Sequence, residues 1–198
     1  MWQNRNQDAQ LVRDRAAALL ASGGALAQLS AQDAQIVVDY LRPHRVAAGT
    51  VVIQAGSGTD DHAMSLILSG EATVETHAGN EGIVVSVLGP GSLMGEMGLV
   101  DQAARSATCT ATTDLALGIL TRAALTRMID EQPAVAARLL LLTAKHIADH
   151  LREANRKLQA MTSVSGALQQ ELDAVHAVNK RLLEQVDARA QVARKEPG

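Results

Sequence analysis

The chain has 198 residues, 47% of them hydrophobic, with a formal net charge of -3 and an isoelectric point near 6.0. That allows one domain of ordinary size plus an appendage and lacks the basic surplus of a dedicated nucleic-acid binder. With no Phe, one Trp, one Tyr and one Cys, the core must be built from Leu, Val, Ile and Ala. Cys109 alone excludes an internal disulfide or a Cys-based metal cluster and suits the cytoplasm as a reducing compartment.

Residues from about Gln7 to Ala21 read as a helix that stops at Ser22-Gly23-Gly24. Asp8, Asp14 and the glycine pair argue against a signal peptide, and no apolar run reaches the roughly 18 residues that a membrane span needs. A second helix starts after Ser30, with Asp33 three residues on in a capping-box-like arrangement. It carries Ile36, Val37, Tyr40 and Leu41 at helical spacing and ends before Pro43.

From Val46 the texture changes to short β segments punctuated by glycine: Thr50 to Ile53, Met64 to Leu68, Ala72 to Thr76, Ile83 to Leu88, Leu93 to Val100, Ala107 to Ala111 and Leu115 to Leu120. Strands this short and this evenly spaced predict a small barrel or double-sheet roll. A short helix follows over Arg122 to Ile129. Pro133 then sits where a first-turn proline belongs.

Beyond it, Ile147, Leu151, Ala154, Leu158, Met161, Ser165, Leu168, Leu172, Val175, Asn179, Leu182 and Val186 alternate spacings of four and three. That is a heptad seam, with Asn179 the type of polar residue that fixes register. A break or kink is expected at Ser163-Val164-Ser165-Gly166. A parallel coiled-coil homodimer is the first expectation for this seam, a tail folded back on its own domain the second. The chain thus divides into helices over 1–44, a β-rich body with its short helix over 45–132, and a long helical segment over 133–198.

The stretch richest in chemistry runs over 89–111, GPGSLMGEMGLVDQAARSATCTA. A turn at Gly95-Glu96-Met97-Gly98 can present backbone N–H groups to an anion. Arg105 offers a planar fork for phosphate oxygens, with the Ser106 hydroxyl beside it. Glu96 can accept a hydrogen bond from a sugar hydroxyl. An acid for ribose and an arginine for phosphate suit a nucleotide monophosphate. A plain Glu96–Arg105 salt bridge closing a loop suits the same residues.

The stretch resembles the phosphate-binding cassette of the cyclic-nucleotide-binding domain family. The family pattern is a glycine-glutamate pair, a short helical turn of small and apolar residues, then Arg, Ser or Thr, Ala, Thr. Here those positions are Gly95, Glu96, Met97 to Val100, Arg105, Ser106, Ala107 and Thr108. Gly49, Gly56, Gly70 and Gly89-Pro90-Gly91 fall where the family places turn glycines.

The resemblance implies a mainly β fold with flanking helices, a β-roll of the double-stranded β-helix or jelly-roll type, followed by a long helix. It also implies that Glu96 holds the ribose 2′-hydroxyl, Arg105 the cyclic phosphate and Ser106 the phosphate or base edge. The amides of Gly95, Glu96, Met97, Gly98 and Leu99 would cap the phosphate, with Ala107 also among the binding positions of the motif. Val85, Val87, Leu93 and Met94 are the candidates for the apolar wall. His150 and Arg152 fall near the helical positions that contact the base, although His150-Leu151 stands where some relatives have hydroxyl residues. Serine at 106 resembles domains that prefer cAMP, with cGMP or another cyclic nucleotide as alternatives.

No nucleophile elbow, Walker-type loop or HExxH pattern occurs, so neither an enzyme nor a metal site is expected. His146 and His150, four apart on a helix, have the spacing to bind a metal together, but they read first as solvated or dimer-flank residues. No winged helix-turn-helix pattern follows the long helix. The leading function is therefore a cAMP sensor that repositions a dimerising helix and engages an unidentified protein partner. The alternatives are a DNA-binding transcription regulator of the catabolite-activator type with an atypical output region, and a scaffold that kept the roll without its ligand.

Overall fold

The computed structural model describes residues 2–22, 26, 28–58, 63–78, 81–101 and 103–195, with side chains for all of these except 2–9, 77, 78, 81–85 and 184–195. Two helices lead, α1 (Trp2–Ser22) and α2 (Ala31–Asp39). The strands β1 (Arg42–Val46), β2 (Val51–Ile53), β3 (Ala63–Ser69), β4 (Ala72–Ala78), β5 (Glu81–Leu88) and β6 (Leu93–Met94) follow. After them come α3 (Glu96–Asp101), β7 (Thr108–Ala111), β8 (Leu115–Thr121), α4 (Arg122–Glu131) and α5 (Pro133–Lys195). Residues 1–148 form one compact unit and 149–198 a second.

The strands make two four-stranded antiparallel sheets, ordered β1-β8-β3-β6 and β2-β7-β4-β5. This is the expected β-roll. Pro43 lies within β1, which starts earlier than the change of texture at Val46 suggested. An edge strand tolerates the missing N–H, since β1 pairs only with β8. The turn into β4 needs Gly70: its φ is +85°, and a β-carbon there would run into the Asp114 carbonyl oxygen.

Strand alternation divides the core in two. Met64, Leu66 and Leu68 of β3 face a cluster with Ala16, Ala17 and Leu20 of α1, Val37 and Val38 of α2, Leu125 and Met128 of α4, and Val135, Ala136 and Leu139 of α5. Ile67 points the other way, into a second cluster with Ala72, Met94, Cys109, Ala111, Leu115 and Leu117. The first layer is where the cassette meets the helices, because Leu99 of α3 belongs to it.

The Ser30 hydroxyl caps α2, accepting from the Asp33 amide at 3.0 Å. Among the described residues no hydrogen bond from the Ser30 amide to the Asp33 carboxylate completes a capping box, although the Ser30 side chain helps to lower the Asp33 pKa. The carboxylate receives Nε and Nη2 of Arg138 from α5, both at 2.7 Å. That fork holds the carboxyl below its usual range, first through the arginine hydrogen bonds and against the cost of burial.

The break anticipated at residues 163–166 is absent, and α5 is helical throughout them. The hydroxyls of Thr162 and Ser163 bond the carbonyls one turn back, of Leu158 at 2.9 Å and of Gln159 at 3.0 Å, and so stay within the helical ladder. In the second unit, every residue from 149 to 183 is exposed. The seam positions Leu151, Leu158, Met161, Leu168, Leu172, Val175 and Leu182 are all among them. Val186 lies outside the described side chains. Among the described residues, no helix is long and apolar enough to cross a membrane.

Candidate nucleotide-binding site

The cassette hangs from β6. Gly95 turns the chain into α3 with φ +73°, a conformation that favours glycine. Glu96 then opens the helix with only 8% of its surface exposed. No hydrogen bond or ion pair engages its carboxylate among the described residues, although a buried carboxylate is costly without a donor. A titratable neighbour within the first unit is His146 of α5, whose ring nitrogen lies within 4.8 Å of a Glu96 oxygen. His146 is half-buried there, not on the solvated or dimer-flank surface expected of it.

Arg105 reaches the same place from the segment before β7. Its backbone is pinned on both sides, the amide donating to Ser57 O at 3.2 Å and the carbonyl accepting from Gly56 N at 2.8 Å. Its guanidinium donates from Nη1 to Gly95 O at 2.9 Å and from Nη2 to Ala63 O at 3.2 Å. Among the described residues no ion pair joins it to Glu96, which removes the salt-bridge reading. A guanidinium has about five N–H donors, so two backbone carbonyls orient Arg105 and leave donors for an anion.

Thr108 ties the following strand to the same loop. Its hydroxyl accepts from Ala55 N at 3.1 Å and Gln54 Nε2 at 3.4 Å. Behind the site, burial pushes the Cys109 thiol up to about 11, reinforced by the Glu96 charge and opposed by Arg105. At that value the thiol stays protonated and inert.

The remaining expected residues divide by exposure. Met97 and Ser106 are exposed, with Ser106 Oγ 4.0 Å from Met97 Sδ, while Gly98 is buried and Ala107 half-buried. The Leu99 amide bonds Gly95 O at 3.4 Å inside the helical turn, and its side chain belongs to the core. Leu93 and Met94 are likewise core residues, one in each cluster, and Val87 is exposed. Val85 lies on β5 with its side chain outside the described residues. His150 is an exposed residue of the second unit.

Arg122, unmarked by any local pattern, donates from Nη1 to Leu99 O at 2.7 Å. It thereby satisfies a carbonyl near the end of α3 and links the cassette to α4.

Residues 43–132 match the family model described as "Cyclic nucleotide-binding domain". The cyclic AMP receptor protein of Thermus thermophilus is 30% identical over 135 residues, covering 68% of this chain and 60% of that protein. The chain therefore spans less than two thirds of that relative.

Among solved structures, the Thermus thermophilus catabolite activator protein is similar with a TM-score of 0.59 and 30% identity, over 73% of this chain and 63% of that one. A cyclic nucleotide-binding domain from Methylobacillus flagellatus shares the fold at TM-score 0.64 and 20% identity, over 73% of this chain and 81% of that one. Domains of this kind are regulatory modules and not catalysts. With its cassette on a β-roll of matching fold and sequence, the chain is a strong match over residues 43–132 to the cyclic nucleotide-binding domain family.

Proposed function

We propose that the protein is a cytoplasmic sensor of cyclic AMP whose ligand spans Glu96 and Arg105 and biases the long helix α5. The observation that carries this reading is the buried Glu96 carboxylate, without a hydrogen-bond partner among the described residues, beside an arginine that keeps N–H groups to spare. A ribose hydroxyl supplies the donor that Glu96 lacks, and a cyclic phosphate takes the fork of Arg105. The Ser106 hydroxyl and the first amides of α3 would add further donors. Cyclic AMP is favoured over cyclic GMP by the ligand named for the Thermus receptor.

Coupling to α5 is supported by two contacts within the first unit. Leu99 packs in the core with Leu139 of α5, and His146 of α5 stands beside Glu96. A ligand that prefers one placement of α3 and His146 would shift α5 by its differential affinity for the two arrangements. The exposed stripe from Leu151 to Leu182 would then join a second copy of the chain as a coiled coil and offer a protein partner a surface that changes with the nucleotide.

The test is the thermal unfolding of ligand-stripped protein with cAMP and with cGMP, paired with sedimentation velocity. A ligand at 100 times its Kd adds about 2.7 kcal/mol, so cAMP should raise Tm by roughly 5–10 °C. The protein should sediment as a dimer. No shift with either nucleotide would turn the roll into a scaffold and sink the sensor reading. The DNA-binding alternative finds no support among the described residues, which form a single helix from Pro133 to Lys195.

A further inference from the structure

A cleft of about 450 Å³ opens in the first unit where the end of α2, the start of β1, the end of β8 and α4 meet. No residue of the cassette lines it. Its volume lies in the lower part of the range for small-molecule sites. Two arginines line it from different elements, Arg42 of β1 and Arg127 of α4. Among the described residues, no hydrogen bond or ion pair engages the Arg42 guanidinium or the Nη groups of Arg127.

The carboxylates nearby are already engaged. Asp39, which lines the cleft, pairs with Arg13 of α1 at 2.8 Å. Glu131 accepts from the Tyr40 hydroxyl at 2.6 Å and meets Arg127 only through Nε, at 3.8 Å. The Arg127 guanidinium lies over the Tyr40 ring, 5.0 Å from its centroid. That stacking restrains the fork and leaves its outer N–H groups unspent.

We propose that this cleft is a binding site of its own, for a small organic oxyanion whose carboxylate or phosphate head sits between Arg42 and Arg127. Like charges lining one cleft repel each other, and an anion between them turns that cost into attraction. A planar guanidinium pairs with two oxygens of either head at once. The Thr121 hydroxyl accepts from the Ala124 amide at 3.2 Å and keeps its own hydrogen to donate. Leu41 and Ile119 give the walls apolar surface for an uncharged body. The inference does not rest on the nucleotide reading, because the two sites share no residue.

The experiment follows the amide NMR signals of Ile119, Thr121 and Ala124 in the full chain during titration with phenyl phosphate and with benzoate. The signals should shift saturably with a midpoint near or below about 1 mM, and the tighter probe identifies the preferred head. Phenol, which has the body without the head, should bind at least about 10-fold more weakly. Arg42→Ala and Arg127→Lys should each cost about 10-fold, the effect of one hydrogen bond to a charged group. The lysine keeps the charge and loses the fork. Arg42 makes no bond that the fold needs, so its variant carries the test alone if Arg127→Lys lowers Tm. Arg105→Ala should leave the midpoint within about 2-fold, as a distant site would. No saturable shift with either anion, phenol binding as well as they do, or a loss confined to Arg105→Ala would overturn the proposal.

Discussion

Asp33 and Glu96 are both buried carboxylates, 7% and 8% exposed, and each has an arginine in its neighbourhood, yet their hydrogen bonding is opposite. Asp33 is closed by the two-pronged grip of Arg138, which clamps α2 to α5. Glu96 has no such partner among the described residues, and Arg105 spends two of its donors on backbone carbonyls. A carboxylate saturated by its own protein contributes to folding. One left open keeps its hydrogen-bonding capacity for a ligand, at a cost to the empty state. The same residue pair thus distinguishes a structural joint from a binding site inside one compact unit.

Breaking the open side should cost affinity and spare the fold. Glu96→Gln keeps the shape but removes the charge, and should weaken cAMP binding by about 10- to 100-fold by titration calorimetry, the range for a hydrogen bond to a charged group. Its ligand-free Tm should hold or rise, since an unpaired buried charge is gone. A fall in Tm with unchanged affinity would place Glu96 with Asp33 as a structural acid.

The exposed stripe of the second unit should respond to charge in its seam. Leu158→Asp with Leu168→Asp puts charge into the seam of a coiled coil, so the protein should sediment as a monomer, and its cAMP affinity should change by the same factor by which cAMP changes dimerisation in the wild type. An unchanged dimer would remove α5 as the interface.

The closed side sharpens the contrast through pH. Folding depresses the Asp33 pKa below its ordinary 3.8, so its stabilisation is present above about pH 4 and disappears as pH falls through the folded value. Asp33→Asn should therefore lower Tm at neutral pH, leave cAMP affinity unchanged, and approach wild type in Tm as pH falls below 3.8 through the folded value. A gap that does not narrow as the acid limb is descended would mean that the charge of Asp33 is not what holds the joint. The smallest effect belongs to Cys109. With the thiol pushed up to about 11, a thiol reagent at pH 8 should label it only on unfolding, and prompt labelling of folded protein would contradict its burial.

How much of this was legible in the sequence follows the range of each interaction. The Ser30 cap acts over three residues and was visible. So was the cassette, because Gly95, Glu96 and Arg105 lie close along the chain in a recognisable pattern. Arg138 was not, since 105 residues separate it from Asp33 and only the packing of α5 on α2 joins them. Arg122 has no local signal for the same reason, and the place of His146 beside Glu96, instead of on a solvated or dimer-flank surface, is likewise set by packing.

The expected break near Gly166 overvalued local propensity. The long run of helix formers on either side outweighs one glycine. The burial of Leu93 and Met94 could not be read either, because a two-residue strand gives no alternation to say which face is inside.

The most direct test of the open-versus-closed contrast is a parallel titration of cAMP into Arg105→Ala and Arg138→Ala. Loss of a charged partner at a binding site costs about 2–5 kcal/mol, so Arg105→Ala should bind at least about 30-fold more weakly than wild type while unfolding at a similar temperature. Arg138→Ala should bind as wild type does and unfold at a lower one. Undiminished binding by Arg105→Ala would contradict the account at its centre.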